Sequence, residues 1–299
     1  MDVRDIDPNE PLENLKQIGF QATELGYAVE LIKKMKKEKA TIYLTFTANM
    51  IASGLRGIIA DMCKRKFVDV IITTGGSIDH DIIKAEKPYL LGEFSADDKS
   101  LHEKGINRIG NILVPNDRYV LLEKRVQALL EEIYATKKIA SPSEIAEAAG
   151  KKIRDDKSFL YWCAKNKIPV FSPGITDSAL GLQVYFFKQK RKDFGIDVTA
   201  DMQRLASITL EAEKTGGLIL GGGISKHHAI GVNILRDGFD YAVYFTTASP
   251  WDGSLSGAQT NEAISWGKIR EKANHATVYG DVSITLPLAY HILKKQKFI

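Results

Sequence analysis

The residues best suited to chemistry sit in three short stretches: "NEAISWGKIR" (261–270), "GGGISKHH" (221–228) and "TGGSIDHD" (74–81). In the first, Glu262 and Trp266 stand four apart and share a helix face, while Gly267 ends or bends that helix and swings Lys268 away from it. An amine packed against apolar and aromatic neighbours loses hydration, and the neutral form so favoured is the one that can form a Schiff base. The competing role for such a lysine is a snorkelling side chain whose stem alone is buried.

The second stretch places Gly221, Gly222 and Gly223 between a strand pattern and a helix pattern, where backbone N–H groups can approach a phosphate. Gly75 and Gly76 repeat the arrangement after another strand. Two such turns favour a dinucleotide, although the GxGxxG fingerprint is absent. His227 and His228 follow at the start of the next helix, as candidates for a role in chemistry or as the structural or solvent-facing residues that a histidine pair usually provides. Adjacent histidines point about 100° apart on a helix, so a shared metal ion is not expected. Asp79, His80 and Asp81 could offer carboxylates to a metal or a cation, or cap the helix that begins there. Asp177 and Asp281 each follow a strand, where an acid accepts hydrogen bonds from a ribose or from a helix start.

These residues need a scaffold, and the chain supplies one. Continuous apolar runs, "TIYLTF" (41–46), "VDVIIT" (68–73), "IPVF" (168–171), "GLIL" (217–220), "YAVYFTT" (241–247) and "ATVYG" (276–280), read as strands buried on both faces. Helix patterns lie between them at 21–38, 51–65, 118–135, 143–151, 157–166, 178–190, 200–214 and 226–236, and "SPSE" at 141–144 has the form of a capping box. The alternation predicts an α/β fold: a doubly wound, mostly parallel sheet with helices on both faces, Rossmann-like, in a single domain spanning 1–299. In such a sheet ligands bind beyond the carboxyl ends of strands, where the glycine, histidine and aspartate residues above are found. The segment 86–117 is the least regular and reads as an excursion from the sheet.

Composition narrows the function. With 41 basic and 37 acidic residues the net charge is +4, too small and dispersed an excess for a nucleic-acid surface. The cluster "KKMKKEK" (33–39) complements a helix C-terminus. Cys63 and Cys163, 100 residues apart and each in a helix pattern, suggest neither a disulfide framework nor a zinc site. No stretch approaches the roughly 18 apolar residues of a membrane span, and the acidic start "MDVRDIDPNE" lacks a signal core, so a cytoplasmic protein is expected.

The motifs "SWGKI", "GGGISKHH", "DYAVYFTTA" with "WDGSLSGA", "FSPGITDSALG", "GINRIGNILVPNDRY" and "GFQAT" resemble the deoxyhypusine synthase family, in unbroken order from about residue 19 to residue 290. The resemblance implies an NAD-dependent transferase, a homotetramer with active sites at dimer interfaces, which passes the aminobutyl group of spermidine through an enzyme lysine to a lysine of the translation factor five-A precursor. It assigns the covalent lysine to Lys268 and a spermidine contact with proton transfer to His227. Trp266 would lie along the methylene chain and Glu262 would bind an ammonium end, with Gly253, Ser254 and the Asp79, His80, Asp81 group also on the substrate side. For NAD the matching positions are Asn49, Met50, Ile51, Thr73, Thr74, Gly75, Asp177, Gly222, Thr247, Ala248 and Asp281. No metal, nucleic acid or membrane partner is implied.

The chain departs from the eukaryotic pattern in three places. "SIDHD" replaces a shorter Glu-Glu-Asp run, Leu182 and Leu255 stand where aspartates are directed at spermidine, and the N-terminus is too short for a lid-like extension. Since a hydrogen bond to a charged group contributes about 1.5–3 kcal/mol, loss of two anions opens the alternative of another polyamine or of putrescine as acceptor, giving homospermidine. A third possibility, an NAD-binding regulatory protein without catalysis, leaves Lys268, Trp266 and His227 without a reason to occur together.

Overall fold

The computed structural model describes residues 11–299, and the acidic segment 1–10 discussed above lies outside the described residues. Helices α1 (Pro11–Ile18) and α2 (Phe20–Lys37) lead into strand β1 (Thr41–Thr45), followed by α3 (Ala48–Ala52), α4 (Arg56–Lys64), β2 (Val70–Ile72) and α5 (Gly75–Lys84). Next come β3 (Leu90–Leu91), α6 (Asp98–Glu103), β4 (Ile106–Ile109), β5 (Ile112–Pro115), α7 (Asp117–Thr136), β6 (Ile139–Ala140) and α8 (Pro142–Lys152). The chain continues through α9 (Phe159–Asn166), β7 (Val170–Phe171), α10 (Ala179–Lys190), β8 (Gly195–Ile196) and α11 (Val198–Glu211). It closes with β9 (Thr215–Leu220), α12 (Gly223–Val232), β10 (Phe239–Thr246), α13 (Thr260–Ser265), β11 (Ile269–Tyr279) and α14 (Val282–Lys295).

These elements form two compact units. One takes the chain up to Phe46, then Arg65–Ile72 and Met202–Ile299; the other takes Thr47–Lys64 and Thr73–Asp201.

The first unit carries strands in the order β11-β10-β9-β1-β2, every pairing parallel. Every residue of β9 is buried, so both sheet faces are covered, as its unbroken apolar run requires. Glycines allow the close approach: a Cβ on Gly216 would lie 2.9 Å from Met35 Sδ of α2, and one on Gly217 3.1 Å from the Phe239 ring. Helix α2 buries Leu25, Ala28, Val29, Ile32 and Met35 at helical spacing and ends in Lys34, Lys36 and Lys37, which complement its C-terminal dipole. Tyr43 in β1 donates to or accepts from Thr209 Oγ1 at 2.8 Å, fixing α11 to the sheet.

The second unit is mainly helical. Ser141 Oγ accepts from Glu144 N while Glu144 Oε2 accepts from Ser141 N, the capping box expected for α8. The helix expected at 51–65 is instead two, α3 and α4, broken at Ser53–Gly54. Ser53 Oγ donates to Met50 O and accepts from Leu55 N, and Lys84 Nζ covers the carbonyls of Ile51, Ala52 and Ser53 at 2.6–2.9 Å. The excursion 86–117 holds a small antiparallel sheet, β3-β5-β4, turning at Gly110 with φ +59°. Cys63 and Cys163 are free and buried, their Sγ atoms 3.6 Å apart, a neighbourhood that their separation in sequence concealed.

Helices α1, α5 and α14 were not marked by periodicity. Two glycines open α5, and Pro287 interrupts the pattern of α14. Among the described residues no helix is long and apolar enough to cross a membrane.

Candidate active site

A cleft of about 340 Å³ in the first unit is lined by residues of α12, β10, α13 and the segments beside α13, including Lys226, His227, Tyr244, Glu262, Trp266 and Lys268. Helix α13 ends as its sequence predicts. Gly267 takes φ +65°, Gly267 N donates to Ile264 O and Lys268 N donates to Ala263 O, both at 2.9 Å, the paired bonds of a Schellman cap. Lys268 is thereby turned inward and is 9% exposed, with Nζ 5.1 Å from the centroid of the Trp266 ring. Trp266 itself is 67% exposed, leaving an indole surface open beside the amine. Glu262 and His227 are exposed at the same cleft.

Sequence reasoning missed Lys226 and Tyr244. Lys226 is 1% exposed, donates from Nζ to Ala258 O at 2.7 Å and Ser256 O at 3.3 Å, and sits 4.5 Å from the Tyr244 ring centroid. Burial pulls its ammonium down to about 8, with Glu262 acting in the opposite direction. The signal that could have found it was helical spacing: Lys226 and Ile230 lie four apart on the inward face of α12. Two carbonyls and an aromatic face occupy the Lys226 ammonium, whereas Lys268 Nζ has no hydrogen-bond acceptor among the described residues. Of the two pocket lysines, Lys268 is therefore the one whose amine makes no hydrogen bond among the described residues.

Lys226 also secures the 253–259 loop. Ser256 Oγ accepts from Gly223 N at 2.9 Å, and a Cβ on Gly222 would stand 2.6 Å from Ser256, so the loop closes directly on the start of α12. Gly253 turns it at φ +72°, and Ser254 N donates to Asp252 Oδ1 at 2.7 Å.

The nucleotide candidates fall at helix starts and strand ends. In the first unit Gly221 N donates to Phe245 O at 2.7 Å and Gly280 N to Thr246 O at 2.9 Å, so Gly222, Thr247, Ala248 and Asp281 follow the aligned ends of β9, β10 and β11. Asp281 N-caps α14 by accepting from Ser283 N at 2.7 Å, and the Ser283 side chain together with this N–H holds its carboxyl below the usual range. Thr45 Oγ1, at the carboxyl end of β1, is buried without a hydrogen-bond partner among the described residues.

In the second unit Asn49, Met50 and Ile51 lie in α3, Thr73, Thr74 and Gly75 at the entry to α5, and Asp177 two residues before α10. A Cβ on Gly75 would be 2.5 Å from Ser178 Oγ and one on Gly76 2.9 Å from Ala48 Cβ, so three helix N-termini converge there. Their N–H groups and dipoles favour an anion.

Asp79, His80 and Asp81 are all buried within α5. Asp79 and Asp81 do cap helices, but not their own: Asp79 accepts from Ala179 N and Leu180 N, both at 2.8 Å, at the start of α10. Asp81 accepts from Ser158 Oγ and Leu160 N at the start of α9 and pairs with Arg56 Nε at 2.5 Å. His80 Nδ1 bonds Tyr89 Oη at 2.7 Å, and burial pushes its imidazolium down to about 4. Among the described residues no group of His, Cys, Asp or Glu could hold a metal ion.

A parallel sheet with glycine turns at its strand ends, beside a cleft that holds a buried amine, defines an α/β fold with a candidate active site. The deoxyhypusine synthase family model matches residues 10–293. A Thermoplasma acidophilum protein described as a deoxyhypusine synthase is 48% identical over 271 residues, covering 90% of this chain and 87% of that protein. A crystal structure described as a deoxyhypusine synthase from Entamoeba histolytica superposes with a TM-score of 0.72 at 24% identity, covering 97% and 93% of the two chains. The fold also matches AgrE in its ternary complex with ornithine and NAD+, with a TM-score of 0.57 at 17% identity over 92% of this chain and 33% of that one. The chain belongs to the deoxyhypusine synthase family.

Proposed function

We propose that the chain is an NAD-dependent aminobutyltransferase, moving the aminobutyl group of spermidine through Lys268 to a lysine of the translation factor five-A precursor. The observation that carries this reading is the Lys268 amine, turned into the cleft by the Gly267 cap and held beside the Trp266 ring. The family model spans both units, which supports treating 1–299 as one catalytic domain. A cytoplasmic homotetramer is the corresponding assembly and location.

The residues fit the cofactor on structural grounds. The helix starts that converge at Gly75 and Gly76 suit a pyrophosphate, and the unpartnered Thr45 hydroxyl lies at a strand end where a ligand is expected. By the family resemblance, the residues that would hold it are Asn49, Met50, Ile51, Thr73, Thr74, Gly75, Asp177, Gly222, Thr247, Ala248 and Asp281. The fold neighbour AgrE is described with NAD+ bound, an analogy in the same direction. Bound there, NAD would supply reversible hydride acceptance at the amine-bearing carbon.

The chain's own groups do the rest. Glu262 binds an ammonium end of the substrate and Trp266 lies along its methylenes. Lys268 adds to the substrate imine carbon; the C–N bond to the departing nitrogen breaks, 1,3-diaminopropane leaves with the proton, and the aminobutyl group remains as an imine on Lys268. The acceptor lysine then adds to the same carbon and Lys268 departs as the free amine. His227, exposed at the cleft, moves protons between these nitrogens. Gly253 and Ser254 shape the wall, while Asp79 and Asp81 hold the starts of α10 and α9 in place and His80 bonds Tyr89.

A second reading is favoured by Leu255. It lines the cleft, where Glu262 is the one carboxylate among the lining residues, an economical charge for a polycation. Leu182 is half exposed on α10. The alternative product is homospermidine, with putrescine as acceptor. Labelled spermidine offered to equal amounts of putrescine and the five-A precursor separates the two: label on the precursor lysine is expected, and preferential label on putrescine contradicts the leading reading.

A further inference from the structure

Helix α3 is five residues long, too short to hold itself together, and it stops at Ser53 with its last carbonyls beyond the reach of any helical N–H. Ser53 satisfies the first of these, its N donating to Asn49 O at 3.0 Å and its Oγ to Met50 O at 2.8 Å. Lys84, in the last turn of α5, satisfies those that follow: Nζ donates to Ile51 O at 2.9 Å, Ala52 O at 2.8 Å and Ser53 O at 2.6 Å. These three carbonyls use every hydrogen of the ammonium, so none is left for a ligand. Its charge also complements the negative end of α3. The other end of α3 meets the start of the same neighbour, where a Cβ on Gly76 would stand 2.9 Å from Ala48 Cβ. Helix α3 is thus held against α5 at both ends.

We infer that Lys84 is a positioning residue for the cofactor: by holding the carbonyl end of α3 it fixes Asn49, Met50 and Ile51 for the nucleotide without touching it. The inference rests on the cofactor reading above. Those three residues all lie on the clamped helix, and Thr74 and Gly75 open the helix that carries the clamp, so one side chain sets the relative placement of two nucleotide-facing segments. Burial pulls the Lys84 ammonium down to about 8, with Arg56 of α4 acting in the same direction and Asp81 of α5 opposing. Around it burial keeps His80 and the Tyr89 phenol neutral, and Arg56 and Asp81 pair with each other. Lys84 is accordingly the member of this cluster that changes charge near pH 8, and its neutral form has too few hydrogens for three carbonyls.

NAD binding by the whole chain, without spermidine, is measured by calorimetry for wild type, Lys84→Met and Lys84→Arg well below their unfolding temperatures, alongside thermal unfolding of each. Lys84→Met should raise the Kd for NAD about tenfold, the factor that one hydrogen bond carries, and Lys84→Arg, which keeps the charge and the donors, should recover most of that loss. Wild-type affinity should fall as pH rises through about 8 while that of Lys84→Arg does not, a comparison that decides the matter even where the methionine variant fails to fold. A lower Tm with an unchanged Kd for Lys84→Met overturns the inference, since a clamp serving stability alone would give that result; so does a Lys84→Arg profile that falls together with the wild type's. Wild type that binds no NAD contradicts the cofactor reading and the inference with it, whereas wild type that binds NAD no better than Lys84→Met contradicts the role of Lys84 alone.

Discussion

Lys268 Nζ lies 5.1 Å from the centroid of the Trp266 ring, and the single residue between them, Gly267, sets their relation by adopting φ +65°. A Cβ at Gly267 would meet nothing within 4 Å, so the demand there is conformational rather than steric. Gly267→Ala should cost about 1–2 kcal/mol of stability through the left-handed backbone and slow reaction at Lys268 by turning its side chain. Urea unfolding midpoints measure the first effect; an unchanged midpoint would show that the cap does not constrain this backbone.

Arg56, 5% exposed, pairs with Asp81 through Nε at 2.5 Å and with Asp155 through Nη1 at 2.7 Å. Removing one partner of a buried pair leaves the other charge uncompensated. Arg56→Leu should therefore lose about 3–5 kcal/mol of stability, and a change below about 1 kcal/mol in urea unfolding would refute a structural role for the pair.

Burial pushes the Asp79 carboxyl up from 3.8 to about 7, against the opposing hydrogen bonds from Leu180 N and Ala179 N. The folded chain consequently holds this proton more tightly than the unfolded chain. The associated stability is present in full below pH 3.8 and is lost as pH rises through about 7. Asp79→Asn should remove this component, so the variant gains on the wild type between those values and the difference levels off above them. Unfolding midpoints across that range decide the matter, and a pH-independent difference contradicts the assignment.

Local signals account for what was legible. "SWGKI" encodes a helix end, a glycine turn and an inward lysine within five residues, and the parallel strands announced themselves as apolar runs. What escaped depends on distant chain segments. Asp79 and Asp81 cap helices beginning about a hundred and about eighty residues later, and no local pattern records such a pairing. Lys226 is bonded to Ser256 O and Ala258 O of a loop about thirty residues later, and Tyr244 looked like any aromatic of a buried strand. The break between α3 and α4 turns on a serine hydroxyl competing for backbone groups, which helical periodicity does not register.

The central claim is that Lys268 carries the transferred group. Wild type incubated with NAD and spermidine, then reduced with borohydride and mapped by mass spectrometry of its peptides, should show an aminobutyl adduct on Lys268, and Lys268→Ala should show none. Absence of the adduct from the wild type, or its presence on Lys226 instead, would contradict the account.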